Sequence, residues 1–307
     1  MEYNKEMNAC PEPAGILVII GGKEDKGAGD KNGKENKGEG DKDSPKEKDN
    51  KENDENETPE GILKHFIALT EKDNPHIEVI TSASSEGDES FEDYKKAFKK
   101  LKVKNLGHIH HKTRKEMLDD GLTERVNNAD AFFLTGGDQL LLTSLYGGSK
   151  FLTLLKERYI KDKIVIAGTS AGAMALSTPM IYAGNKEKQQ ITGAIKITTG
   201  LEFIRDVCID THFIDRARFI RMAQVIATNP TSVGIGIEED TAIIVRKGNE
   251  AEIIGNGVVT VIEGFEISSS NITEFGAGEK VVICDLRVHL LAKGSMYYIP
   301  QINPPHK

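Results

Sequence analysis

The sequence predicts an α/β protein built on a doubly wound, mostly parallel sheet, and three observations carry that expectation. Short apolar runs alternate with stretches of helical period from Gly15 onward, the rhythm of right-handed βαβ units covered by helices on both faces. Glycine-rich turns follow several of those runs, at Gly21-Gly22, Gly136-Gly137 and around Ser170, where parallel strands hand over to helices and present ligands. From about Ile243 the text changes to short β-rich pieces with Gly-Asn turns, expected as antiparallel strands closing one side of a single domain over residues 1–307.

The elements follow in order. Gly15–Ile20 (GILVII) reads as the first strand. A tract of Lys, Glu, Asp, Asn and Gly then fills residues 23–58; without aromatic or β-branched residues before Thr58 it cannot bury enough apolar surface to order itself, so it is expected as a disordered insertion in a loop. A helix over Pro59–Thr70 precedes a strand at His76–Ile80 (HIEVI). Then come a helix at Phe91–Leu101, a strand at Leu106–His110, a helix at Thr113–Arg125 and a strand at Ala129–Leu134. Strand Ile164–Ala167 leads directly to Ser170.

Composition narrows the function. The chain has 307 residues, 38% of them hydrophobic, with a formal net charge of −8, and no basic stripe of the kind that phosphate-backbone binding requires, so nucleic acid is not an expected partner. The three cysteines, Cys10, Cys208 and Cys284, have no metal or disulfide spacing, which suits a reducing cytoplasm. No apolar run reaches membrane-spanning length, so no membrane is expected. Neither a cofactor nor a metal is indicated.

The chemistry concentrates at IVIAGTSAGA. An apolar strand ending at Gly168-x-Ser170-x-Gly172 fits a nucleophile elbow, a sharp turn that lifts a serine hydroxyl out of the sheet. The N–H of Ala171 would then open a helix, and the N–H of Gly137, at the end of another strand, could complete an oxyanion hole with it. A serine needs a base, usually a histidine oriented by a carboxylate. Of the eight histidines, His212 stands out because it follows the apolar run Val207–Ile209 and precedes a helix expected from about Asp215, a strand-to-helix loop. Arg218 and Arg221 oppose the dipole at the start of that helix, which points to carboxylate binding, and Arg216 either acts from the helix start or pairs with Asp215. Gln139 offers a neutral amide near the second glycine turn.

With LVIIGGKEDK, LTGGDQ, IAGTSAGAM, DTHFIDRARFIRM and GIGIEEDTAIIV in that order, the chain resembles the serine peptidase family that contains the cyanophycinases and the aspartyl dipeptidases. The resemblance implies a fold like that of class I glutamine amidotransferases, a nucleophile at Ser170 and a base at His212, and a homodimer. It further implies a substrate of Asp/Arg peptide character, the polymer multi-L-arginyl-poly-L-aspartate, cut from its end to β-aspartyl-arginine. Gln139, Asp210, Thr211, Arg216, Arg218 and Arg221 are then the candidate substrate contacts, Asp210 meeting a guanidinium and the arginines meeting carboxylates. Thr211 departs from the glutamine usual before that histidine. Two carboxylates compete for the third catalytic place: Glu239, at a strand end and matching a family glutamate, and Glu187, in a polar loop, with Glu238 a close neighbour of the first. Glu239 is preferred because a strand end positions a carboxylate better. An aspartyl or isoaspartyl dipeptidase is the rival within the class, and a peptide-binding module without turnover the rival outside it. A glutamine amidotransferase proper would need cysteine at position 170.

Overall fold

The computed structural model describes residues 11–24, 61–118, 121–184, 189–274 and 278–300. The charged tract, apart from Lys23 and Glu24, lies outside the described residues, as does Glu187. Two sheets organise the rest. The larger has eight strands; Ile16–Ile20, Val165–Thr169, Ala131–Leu134, His76–Ile80 and Asn105–Ile109 lie side by side and parallel. Ile16–Ile20 also pairs antiparallel with Thr241–Arg246, and Glu250–Gly255 and Met296–Tyr298 extend that edge.

The second sheet has six strands. Val207–Thr211 and Val233–Ile237 run parallel within it, and Val259–Glu263 and Arg287–Leu291 continue it antiparallel. The late β-rich segments therefore do not close one side only: they divide between two sheets. That division has a packing cause. A strand buried on both faces must be covered twice, and one continuous apolar cluster does so, joining Leu17, Ile19 and Val245 of the large sheet to Ile209, Ile235 and Val261 of the small one. The opposite face of the large sheet is covered by Gly61–Ala68 and Gly87–Lys100, whose Phe66, Tyr94 and Phe98 pack around Phe133.

Differences from the sequence expectation are local. The helix expected over Thr113–Arg125 is instead a 3-10 turn, Arg114–Leu118, and a separate helix, Gly121–Asn128. Glycine is a poor interior helix residue and opens the second piece rather than sitting inside one long helix. Two helices that periodicity does not assign, Gln139–Tyr146 and Lys150–Lys161, start on Asp138 and Ser149, whose side chains accept from the N–H of Leu140 and Leu152. The helix after His212 is Phe219–Thr228, not one beginning near Asp215; Ala217 takes a positive φ of 49°, incompatible with a continuous helix. Among the described residues no helix is long and apolar enough to cross a membrane.

Candidate active site

Ser170 ends the strand Val165–Thr169 and caps the short helix Ala171–Ala175, with φ 50° and ψ −115°. A serine pays for that left-handed backbone, and the surroundings enforce it. Its N–H donates to Ile20 O at 3.2 Å, and its C=O accepts from Met174 N. The flanking glycines are steric necessities: a Cβ on Gly172 would lie 2.3 Å from Leu134 O, and one on Gly168 would lie 2.6 Å from Gly172 C. Strand and helix therefore approach more closely than any side chain allows.

His212 also has a positive φ, 49°, and its N–H donates to Gly21 O at 2.9 Å. The ring is aimed at the serine. Ser170 Oγ and His212 Nε2 are 3.0 Å apart, and His212 Nδ1 lies 2.6 Å from Glu239 Oε1. The second oxygen of Glu239 meets Lys23 Nζ at 2.9 Å. One hydroxyl, one imidazole and one carboxylate thus form an unbroken line, each supplied by a different strand end. The neighbour Glu238 is engaged elsewhere, its Oε2 accepting from Val258 N at 2.6 Å.

Electrostatics suit the line to base chemistry. Burial holds the His212 imidazolium below its ordinary value of 6.5, against the upward pull of Glu239; Arg216 and Arg218 add to the lowering. Burial alone would raise the Glu239 carboxyl, but hydrogen bonds from Lys23 and His212 outweigh it and its value falls below 4.5. At neutral pH the imidazole is free to accept a proton and the carboxylate is charged.

The other expected contacts divide. Gly136 lies against the serine, a Cβ there falling 3.4 Å from Ser170 Cβ; Gly137 follows with φ 141°, packed on Ala83 O. Gln139 spends its amide N–H on Ile181 O at 2.8 Å. Asp210 is fully buried, and the two arginines expected to meet substrate carboxylates end on it instead. Arg218 Nη1 donates to Asp210 Oδ1 and to Thr211 O, both at 2.7 Å, while Arg221 grips the same carboxylate through Nε at 2.6 Å and through Nη2. Their position at the helix start is explained by this internal carboxylate. Thr211 is 1% exposed, its side chain turned inward, and Arg216 alone of the three arginines is exposed. At the start of the same helix Phe219 is 42% exposed, whereas Met222 and Ile226 are buried.

Sequence reading assigned no catalytic or binding role to Gly21-Gly22-Lys23-Glu24, although these residues contact His212, Glu239 and Thr169, the residue before the serine. A Cβ on Gly22, at φ 104°, would lie 2.4 Å from His212 Cε1, so the segment seats the imidazole. Glu24 is buried, accepting from Thr169 Oγ1 at 2.5 Å and from Tyr94 OH. The available signal was position: the segment follows the first strand, next to the strand carrying Ser170.

An α/β fold with a serine set at a strand-to-helix elbow and paired to histidine defines a class, the serine-type hydrolases. Comparison with known proteins is more specific. The model of peptidase family S51 matches residues 50–254. A cyanophycinase of Geminocystis herdmanii is 30% identical over 236 residues, 77% of this chain and 87% of its own. One from Synechococcus elongatus is 30% identical over 231 residues, 75% of this chain and 72% of its own. The crystal structure of a peptidase from an acI-B1 Actinobacterium, 18% identical, superposes with a TM-score of 0.61 over 94% of this chain and 98% of that one, which speaks for the fold. The chain belongs to peptidase family S51 and is a serine-type peptidase.

Proposed function

We propose that this peptidase hydrolyses cyanophycin, releasing β-aspartyl-arginine dipeptides, with Ser170 as nucleophile, His212 as general base and acid, and Glu239 as the orienting carboxylate. The observation that carries the mechanism is the line from Ser170 Oγ through His212 to Glu239, at 3.0 and 2.6 Å. His212 Nε2 takes the hydroxyl proton as Ser170 Oγ attacks the scissile carbonyl carbon. The N–H groups of Gly137 and Ala171 stabilise the oxyanion. When the C–N bond breaks, the imidazolium returns that proton to the leaving amine. Water, deprotonated by the same imidazole, then attacks the acyl-enzyme and frees the serine.

The substrate reading rests on the relatives named cyanophycinase and on the exposed Arg216, whose charge reaches His212 and suits the free carboxylates of a poly-aspartate backbone. A second reading, an aspartyl or isoaspartyl dipeptidase, is favoured by one specific observation: Arg218 and Arg221 are occupied by Asp210, so the arginine series does not by itself select a polymer. Incubation with purified cyanophycin and, separately, with aspartyl dipeptides, followed by mass analysis, decides between them. Release of β-Asp-Arg from the polymer is expected, with Ser170→Ala inactive; cleavage of the dipeptides alone would overturn the polymer assignment.

A further inference from the structure

Lys23 occupies a position that nothing in the chemistry of a three-membered triad requires. Its ammonium lies 2.9 Å from Glu239 Oε2, the oxygen that His212 does not use. Its backbone is left-handed, with φ 47°, which costs free energy for a side chain with a Cβ and is kept only where neighbours impose it. They do so on both sides. Gly22 O accepts from Asp240 N at 2.9 Å, beside Glu239 itself, and the buried carboxylate of Glu24 is anchored by Thr169 Oγ1 and Tyr94 OH. Lys23 is thus held between the segment carrying the carboxylate and the residue preceding the nucleophile, while its side chain is 72% exposed and contributes little to the core.

We propose that Lys23 is a positioning residue of the active site: its ammonium fixes Glu239 Oε2 so that Oε1 stays aimed at His212 Nδ1. The proposal rests on Ser170, His212 and Glu239 acting as the triad. A carboxylate held at one oxygen only can rotate or turn to water, and an imidazole whose orienting partner wanders spends less time aligned with the serine. Among the described residues the charged groups that act on the pair are these. Glu239 faces His212 and Lys23; Lys23 also feels Asp215 and Arg216; His212 also feels Arg216 and Arg218. Removing the lysine cation takes a positive charge from beside the Glu239–His212 pair, so the imidazole keeps its proton to higher pH and the loss of activity on the acid side moves up with it.

The test uses the full chain and a small fluorophosphonate, which reports serine reactivity without any assumption about the peptide substrate. Its second-order rate is measured from pH 5 to 9 for the wild type, Lys23→Met, Lys23→Gln, Lys23→Arg and Ser170→Ala. The expected result is a plateau about tenfold lower in Lys23→Met and Lys23→Gln, a small part of the roughly 10⁴-fold that loss of the orienting group costs in serine triads. Their acid limb moves to higher pH, and Lys23→Arg, which keeps the charge, recovers most of both. Profiles of Lys23→Met and Lys23→Gln that overlay the wild type would overturn the proposal. So would an equal loss at every pH that Lys23→Arg does not restore, since that reports lost packing. A wild type no faster than Ser170→Ala would instead remove the triad reading beneath it, and the proposal with it.

Discussion

In the proposed mechanism Ser170, His212 and Glu239 do different work, and their substitutions should fail differently. Ser170→Ala removes only the attacking oxygen; hydrolysis should vanish while the unfolding free energy from urea titration stays within about 0.5 kcal/mol of wild type. Glu239→Gln keeps the shape but loses the charge that orients the imidazole, and should lower kcat by about 10³–10⁴-fold. The pH dependence follows from the directions given above. His212 has a folded value below 6.5, so below that pH the unfolded chain binds the proton more readily; the stability contributed by its neutral form is complete above about pH 6.5 and is lost as pH falls through the folded value. Glu239, lowered from 4.5, adds stability above its unfolded value that is lost at still lower pH. Stability of the wild type should therefore fall on acidification in denaturant titrations at successive pH values, and His212→Gln should flatten the part of that slope just below pH 6.5. An unchanged slope in His212→Gln would contradict the burial argument.

At the scale of elements, three loops after strands converge on one spot, and glycines let them. Gly172→Ala would push a methyl into Leu134 O; a loss of about 1–3 kcal/mol and a slower serine are expected together, because the same displacement does both. The Asp210 cluster is a separate support. Two guanidiniums and one buried carboxylate tie the end of Val207–Thr211, two residues before His212, to the start of Phe219–Thr228. Asp210→Ala should cost about 3–5 kcal/mol in chemical denaturation, since it leaves buried charge without a partner. The elbow was legible in the sequence because steric constraint writes itself as glycine and alanine at fixed spacing. The partners of Arg218 and Arg221 were not: helix-dipole reasoning marked them correctly as unusual, but whether an arginine meets a substrate or an internal aspartate depends on a fold-back eight and eleven residues long. Glu239 was preferred over Glu187 on strand-end position, and the geometry places it on the imidazole.

Across the whole molecule, one apolar cluster joins the two sheets, and the residues of the site are drawn from both: Ser170 from the large one, His212 and Glu239 from the ends of Val207–Thr211 and Val233–Ile237 in the small one. The alternation of strands and helices made the α/β class readable. The split into two sheets was not, because strand order depends on pairings between distant segments rather than on local pattern. A shared core implies a single cooperative transition, with serine reactivity and far-ultraviolet dichroism lost at the same denaturant concentration. Separate midpoints would mean that the sheets unfold independently.

The most direct check on the central claim is peptide mapping by mass spectrometry after fluorophosphonate treatment at pH 8, on the wild type and on His212→Ala. One adduct is expected on Ser170 in the wild type, formed at least 10³-fold more slowly without the imidazole. An unlabelled Ser170, or labelling at the same rate in His212→Ala, would contradict the claim that the histidine activates this serine.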